Sequence, residues 1–151
     1  MTRWEIGSWG SDWSFGLTLT VLTLLLHILG LGLLHRVFER LLALFDHRMK
    51  RSLSRIVAIV GPIVALIFGL HAGEALVWAI AYVLIGAVPD LHTASLYSLG
   101  AMSTYGHAAI YLAPEWQLLG AIQALNGMIT FGLTVAFMAA VLRRVSSVVP
   151  F

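Results

Sequence analysis

Three long apolar stretches restrict what this sequence can fold into. They run from Phe15 to about His35, from Ile56 to Pro89 and from Gln117 to about Leu142. A helix of about 20 residues crosses a hydrocarbon core of about 30 Å. Of the 151 residues, 60% are hydrophobic and only 11% are charged, which excludes an ordinary soluble domain. The sequence therefore predicts an all-α integral membrane protein with three transmembrane helices.

The charged residues predict how these helices are oriented. Basic residues concentrate between Arg36 and Arg55 and at Arg143–Arg144. Because Lys and Arg are enriched on the cytoplasmic side of membranes, we expect the N-terminus outside and the C-terminus in the cytoplasm of a bacterial inner (plasma) membrane. The expected partner of these charges is the lipid bilayer and not nucleic acid. The chain has no cysteine, so disulfides and thiolate metal ligands are excluded.

Between the second and third apolar stretches, the hydrophobic runs are shorter and polar residues are more frequent. Pro89–Thr93 predicts a turn, with Asp90 or Thr93 as the cap of a short helix. That helix ends in Ser, Thr and Gly at Ser103–Gly106. Irregular backbone is tolerated in a membrane only where protein covers it or where it lines a water-filled cavity. The pattern predicts a re-entrant pore helix followed by a filter-like loop.

This segment resembles the pore region of the tetrameric potassium-channel superfamily, whose filter reads T-V-G-Y-G-D. Laid on that pattern without gaps, the six filter places fall on Thr104, Tyr105, Gly106, His107, Ala108 and Ala109. The later run Gly127–Leu133, G-M-I-T-F-G-L, is similar to the inner-helix run G-I-T-S-F-G-L of the family. The resemblance covers roughly the last two-thirds of the chain, without its N-terminal helix.

The resemblance implies a homotetrameric pore that passes monovalent cations, K⁺ or Na⁺, without another cofactor and without enzymatic activity. Four residues would form the ion filter, namely Thr104, Tyr105, Gly106 and His107. Gly127 and Gly132 would act as gating hinges. Residues 56–151 would be the pore domain, with an outer helix, the pore loop and an inner helix. Residues 1–55 would hold an interfacial segment, the first transmembrane helix and a basic cytoplasmic linker.

Polar residues in the third apolar stretch follow a helical period. Gln123, Asn126, Thr130 and Thr134 stand at i, i+3, i+7 and i+11, which places them on one stripe of a helix. In a tetramer, such a stripe is expected to line a water-filled cavity. Hydrogen bonds between helices inside a bundle are the alternative.

Three ionisable residues interrupt the first two apolar stretches. His27 lies near the middle of the first stretch, and we expect a neutral imidazole that bonds to a neighbouring helix. His71 and Glu74 are three residues apart and hence on one helical face. Such a pair could donate two metal ligands, but one pair without a partner motif is a weak signal for a metal site. We expect Glu74 to pair with a polar group behind the pore loop or to lie in an aqueous crevice.

Two further interpretations of the second stretch and of the function stay open. The second stretch is either one long helix kinked at Pro62 or two short segments, and the single helix is favoured because each half is short for a membrane span. The filter has Ala108 where the family has its second glycine, a residue with conformations that others resist. A non-conducting or regulatory subunit that retains the channel scaffold is therefore the alternative function. A metalloenzyme that uses His71, Glu74 and another histidine is the third.

Overall fold

The computed structural model describes residues 6–46, 53–106 and 109–148. The structure is 88% helical and has no strand in these ranges. Its elements are α1 (Ile6–Asp46), α2 (Leu53–Leu84), α3 (Leu91–Met102), a short 3₁₀ turn (Pro114–Trp116) and α4 (Gln117–Val148). The prediction of an all-α protein is confirmed for the described residues.

Three of the helices are long and apolar enough to cross a membrane. These segments are Gly10–Phe45 in α1, Ser54–Leu84 in α2 and Pro114–Ser146, which includes α4. The predicted number of potential transmembrane helices is therefore confirmed by length and composition. α2 is a single helix of 32 residues that contains Pro62, so the interpretation as two short segments was wrong.

α1 differs from the prediction, which divided this part of the chain into three segments. The expected interfacial lead-in, the first membrane span and the start of the basic segment form one continuous helix of 41 residues. No proline lies in this range, so nothing removes a backbone hydrogen-bond donor from the helix. At 1.5 Å per residue, α1 is about twice as long as the hydrocarbon core is thick.

α3 begins at a side-chain cap. Asp90 has an extended backbone, and its carboxylate accepts the Thr93 backbone N–H at 2.9 Å and the Thr93 hydroxyl at 2.7 Å. The backbone donor is the larger of the influences that hold the pKa of the Asp90 carboxyl below its usual value. Of the two caps that the sequence offered, the structure uses Asp90.

The long helices pack through two apolar clusters. The first apolar cluster includes Leu19, Trp78, Tyr82, Ala94, Leu119 and Ile122. The second apolar cluster includes Leu34, Phe38, Leu42, Ile59, Ile63 and Val145. The second cluster joins the last part of α1, the first part of α2 and the last part of α4, so these three regions lie at the same end of the bundle.

Polar side chains occupy the helices between the two apolar clusters. We call this set the polar layer, and its members are His27, His71, Glu74, Ser98, Gln123, Asn126, Thr130 and Thr134. All of them except His71 are buried. On α4 the buried stripe is thus apolar at both ends and polar in the middle, whereas α1 and α2 also bury a charged residue near their starts, Asp12 and Arg55.

Candidate functional site

α3 packs against both α2 and α4 and lies partly between them. The Ser98 hydroxyl donates to the carbonyl oxygen of Ala75 on α2 at 2.6 Å. At the end of α3, Met102 lies directly against Gly127 of α4, where a Cβ atom would come within 2.8 Å of the Met102 carbonyl carbon. Gly127 is about 15 Å along α4 from its first residue, at 1.5 Å per residue.

The chain after α3 returns to where α3 began. The backbone N–H of Ala113 donates to the carbonyl oxygen of Ala87 at 2.9 Å, and Ala87 lies just before α3. The segment from Ala87 to Ala113 therefore begins and ends at the same place in the bundle. Its middle part, around Met102, contacts α4 at Gly127.

The predicted filter residues follow directly on α3 and have an unusual backbone. Thr104 has a φ of 59° and Gly106 a φ of 77°, and Thr104 is the only non-glycine residue in the described ranges with a positive φ. Their N–H groups donate back to α3, to the carbonyl oxygens of Ala101 and Gly100, both at 3.1 Å. A left-handed threonine costs about 1–3 kcal/mol, and such strain is found most often at functional sites.

The side chains of the predicted filter are only partly described. Tyr105 is 91% exposed in the single chain, so its ring packs against almost none of the described residues. His107 and Ala108, the two positions at which the sequence departs from the family pattern, lie outside the described residues. The structure thus brings Thr104, Tyr105 and Gly106 together at the end of α3 and leaves His107 untested.

Gln123, the first residue of the predicted stripe, connects three helices. Its side-chain oxygen accepts the Tyr82 hydroxyl of α2 at 2.8 Å, and its amide nitrogen donates to the Ser98 hydroxyl of α3 at 2.6 Å. The sequence singled out neither Tyr82 nor Ser98, because nothing in the spacing of residues along the chain indicates which helices meet. This network fixes the position of α3 against α2 and α4.

The other stripe residues are also buried inside the chain. The Thr130 hydroxyl donates to the Gly127 carbonyl of its own helix at 3.0 Å. Asn126 is fully buried, and neither atom of its amide has a hydrogen-bond partner among the described residues. The stripe therefore faces the interior of the bundle, where the alternative of helix–helix hydrogen bonds accounts for Gln123. A pore-lining role for these residues stays a prediction.

Replacing Gln123 with leucine is expected to destabilise the protein. The change leaves the buried hydroxyls of Tyr82 and Ser98 without this partner, at about 1–3 kcal/mol for each group that finds no other. Thermal unfolding of the purified protein in detergent measures the loss. Gln117→Leu is the control, since Gln117 is exposed at the start of α4. Equal effects of the two changes would contradict the network.

The remaining part of the polar layer joins α1, α2 and α4 around one carboxylate. His27 Nδ1 lies 2.8 Å from Glu74 Oε1, and His71 Nδ1 lies 3.5 Å from Glu74 Oε2. On the other side of the rings, Thr134 Oγ1 is 2.9 Å from His71 Nε2 and 3.2 Å from His27 Nε2. These four side chains form a closed ring of polar contacts, which we call the His–Glu cluster.

The His–Glu cluster agrees in part with what the sequence predicted. His27 is fully buried and bonds to neighbouring helices, as expected. Glu74 pairs with a polar group, His27 on α1. That this group lies behind a pore loop stays a prediction. His27 and Glu74 are 47 positions apart, so helical periodicity, which relates positions a few residues apart, gives no signal for their contact.

Comparison with known proteins gives no relative of this chain. No protein-family model, no curated protein and no solved structure matches it. The resemblance to potassium channels is therefore carried only by the short motifs around residues 104–109 and 127–133. Any function must be inferred from the residues and contacts of the chain itself.

Proposed function

We propose that this chain is the pore-forming subunit of a homotetrameric channel for monovalent cations, K⁺ or Na⁺, in a bacterial inner membrane. The observation that carries the proposal is the segment Ala87–Ala113. α3 packs against α2 and α4, and the Ala113 N–H bonds back to Ala87, beside the start of α3. In the proposed channel this segment is a re-entrant pore loop that enters the membrane from outside.

The backbone after α3 supports a filter at residues 104–106. With the N–H groups of Thr104 and Gly106 bonded to α3, carbonyl oxygens are what this short segment has left to offer an ion. Potassium-type filters replace the hydration shell of the ion with such oxygens. The hydrogen bonds to α3 hold Thr104 at its positive φ, and in the proposed filter its hydroxyl adds a further oxygen ligand.

The exposed surface of the chain supports assembly with further copies. One pore loop encloses no pore, so a channel needs several chains around an axis. Tyr105 and the apolar side chains of Met128 and Phe131 on α4 are exposed in the single chain. In the proposed tetramer they contact neighbouring subunits or the pore.

The ends of the helices support the proposed orientation. The last part of α1, the first part of α2 and the last part of α4 meet in the second apolar cluster. Arg36, Arg40 and Arg55 therefore lie toward the same end of the bundle as Arg143 and Arg144. A shared basic end is what the positive-inside rule requires of a cytoplasmic face.

Ion flux through reconstituted protein tests the proposal. In liposomes with a K⁺ gradient, the wild type should conduct, and Thr104→Val should reduce flux by about tenfold or more. The variant loses one hydroxyl in each of the four subunits, and loss of a single contact of about 1.5 kcal/mol already corresponds to about tenfold. Valine keeps the shape of threonine and removes only the hydroxyl. Thr18→Val is the control, since the Thr18 hydroxyl bonds only the Ser14 carbonyl of its own helix.

Two results would overturn the proposal. Wild-type liposomes that conduct no faster than protein-free liposomes would favour the non-conducting or regulatory subunit instead. A purified particle that does not contain four chains of 16.5 kDa would contradict the tetrameric pore.

A further inference from the structure

We propose that His27, His71 and Glu74 bind one divalent transition-metal ion of the Zn²⁺ class between α1 and α2. This inference goes beyond the proposed channel and does not depend on it. Imidazole nitrogens and carboxylate oxygens are the donors that Zn²⁺ and its neighbours in the first transition series prefer, apart from thiolates. The chain has no cysteine, and these three side chains supply a His₂Glu set.

The spacing of the donor atoms fits a single ion. One donor atom from each residue lies within 4.8 Å of the others. His27 Nδ1 lies 2.8 Å from Glu74 Oε1 and His71 Nδ1 lies 3.5 Å from Glu74 Oε2, so the two imidazole nitrogens approach different oxygens of one carboxylate. Ligand atoms around a tetrahedral Zn²⁺ with bonds of about 2.0–2.1 Å lie about 3.3 Å apart. To bind one ion, the donor atoms, which lie within 4.8 Å of one another, would move toward this separation.

The orientation of both imidazole rings fits ligation through Nδ1. Both Nδ1 atoms face the Glu74 carboxylate, and both Nε2 atoms face the Thr134 hydroxyl. A histidine that binds a metal through one nitrogen typically donates its other N–H to a nearby oxygen, which fixes the ring. A hydroxyl oxygen has two lone pairs and accepts from both rings at once.

Without an ion, the same contacts require one additional proton in the cluster. The single hydroxyl proton of Thr134 reaches only one of the two Nε2 atoms, so the other ring needs an N–H at Nε2. The contact between Nδ1 of that ring and Glu74 then needs a further proton, carried either by the imidazole or by the carboxyl group. A metal ion at the two Nδ1 atoms removes this requirement, since each neutral ring then keeps one proton, at Nε2.

The state of the Glu74 carboxylate points to a cation. Glu74 is 2% exposed, and its Oε2 atom has no hydrogen-bond partner among the described residues. An oxygen that is buried and unpartnered is unfavourable, and more so when it is charged. The unsatisfied oxygen faces His71, where the proposed ion would lie.

A side cavity gives the proposed site access and room for a water ligand. His71 is the one member of the set that is not buried, with 25% of its side chain exposed. It lines a cavity of about 190 Å³ together with Phe68, Leu99, Ser103 and Phe131. The fourth position of the ion, which no protein donor fills, is available to water from this side.

Metal titration of the purified full-length protein, with any affinity tag removed, tests the proposal. After treatment with a chelator, the protein in detergent is titrated with Zn²⁺, and bound zinc is measured by elemental analysis. We expect about one ion per chain, and binding at least tenfold weaker in His27→Gln, His71→Gln and Glu74→Gln. His92→Gln is the matched control, because His92 is exposed at the start of α3 and should leave the affinity unchanged.

Two further measurements keep the test decisive if a variant folds poorly. Thr134→Val retains all three ligands and should weaken Zn²⁺ binding about 10- to 100-fold through loss of the orienting hydroxyl. Co²⁺ added to the stripped wild type should give visible absorption of a four-coordinate site, which needs no variant. If the stripped wild type binds no more Zn²⁺ than Glu74→Gln, the cluster is a set of hydrogen bonds only, and the proposal is overturned. Zinc binding is measured without ion flux. Failure of the zinc proposal therefore leaves the channel proposal standing, and failure of the channel proposal leaves the zinc proposal standing.

Discussion

Replacing Gly127 with alanine is expected to destabilise the protein by about 1–3 kcal/mol, although alanine is the better helix former. A Cβ atom at this position would meet the backbone of Met102, with the carbonyl carbon at 2.8 Å and Cα at 2.9 Å, and would also meet the carbonyl oxygen. Backbone atoms of a packed helix do not move aside as a flexible side chain does. α3 and the loop after it must therefore shift. In the proposed channel this displacement should lower the ion flux.

Gly132 is the matched control on the same helix. Nothing lies within 4 Å of a Cβ atom built at Gly132, so alanine there should stabilise α4 by about 0.5–1 kcal/mol. Thermal unfolding of both variants in one detergent, followed by flux in liposomes, compares them directly. Stability shifts of the same sign would contradict the packing argument. A Gly132→Ala variant that is stable yet loses flux would support the gating hinge expected at this position.

Replacing Trp78 with alanine should have the largest effect on stability, a loss of about 3–5 kcal/mol. Trp78 is fully buried in the first apolar cluster, and its ring centroid lies 6.0 Å from that of Tyr82. Alanine would leave a cavity beside α2 in the first apolar cluster, which also contains residues of α3 and α4. The loss should appear as a lower unfolding temperature in detergent and as faster proteolysis.

Trp13 provides the comparison for this change. It is the same residue type on α1, with 44% of its surface exposed, so Trp13→Ala should lower the stability by less than about 1 kcal/mol. If the two alanine variants unfold at similar temperatures, Trp78 does not hold the packing that the structure assigns to it.

The elements of this fold that depend on neighbouring residues could be predicted from the sequence. Apolar length predicts α2 as one helix, because each half alone is short for a membrane span, and α2 is one helix that contains Pro62. The sequence predicts either Asp90 or Thr93 as the cap of the short helix, and Asp90 caps α3. The spacing of Gln123 and Thr134 predicts a common helical face, and both side chains lie inside the bundle.

What that face contacts could not be predicted, because it depends on how separate helices align. Gln123 bonds to Tyr82 and Ser98 on two other helices, and a polar stripe bound to other helices looks in sequence the same as one that lines water. The contacts within the His–Glu cluster could not be predicted for the same reason. Its members were recognised one by one as ionisable residues inside apolar stretches, while their meeting depends on α1 and α2 packing side by side.

The polar layer also bears on how the chain enters a bilayer. Alone in lipid, α2 would carry Glu74 deep in the hydrocarbon, where an acidic residue near the centre of an inserting helix opposes insertion by about 2.5–3.5 kcal/mol. His27 gives α1 a similar but smaller difficulty. Side by side, the two residues bond to each other at 2.8 Å and hide their polar atoms from lipid. α1 and α2 are thus best suited to insert as a helical hairpin, with α1 acting as an intramolecular insertion partner for α2.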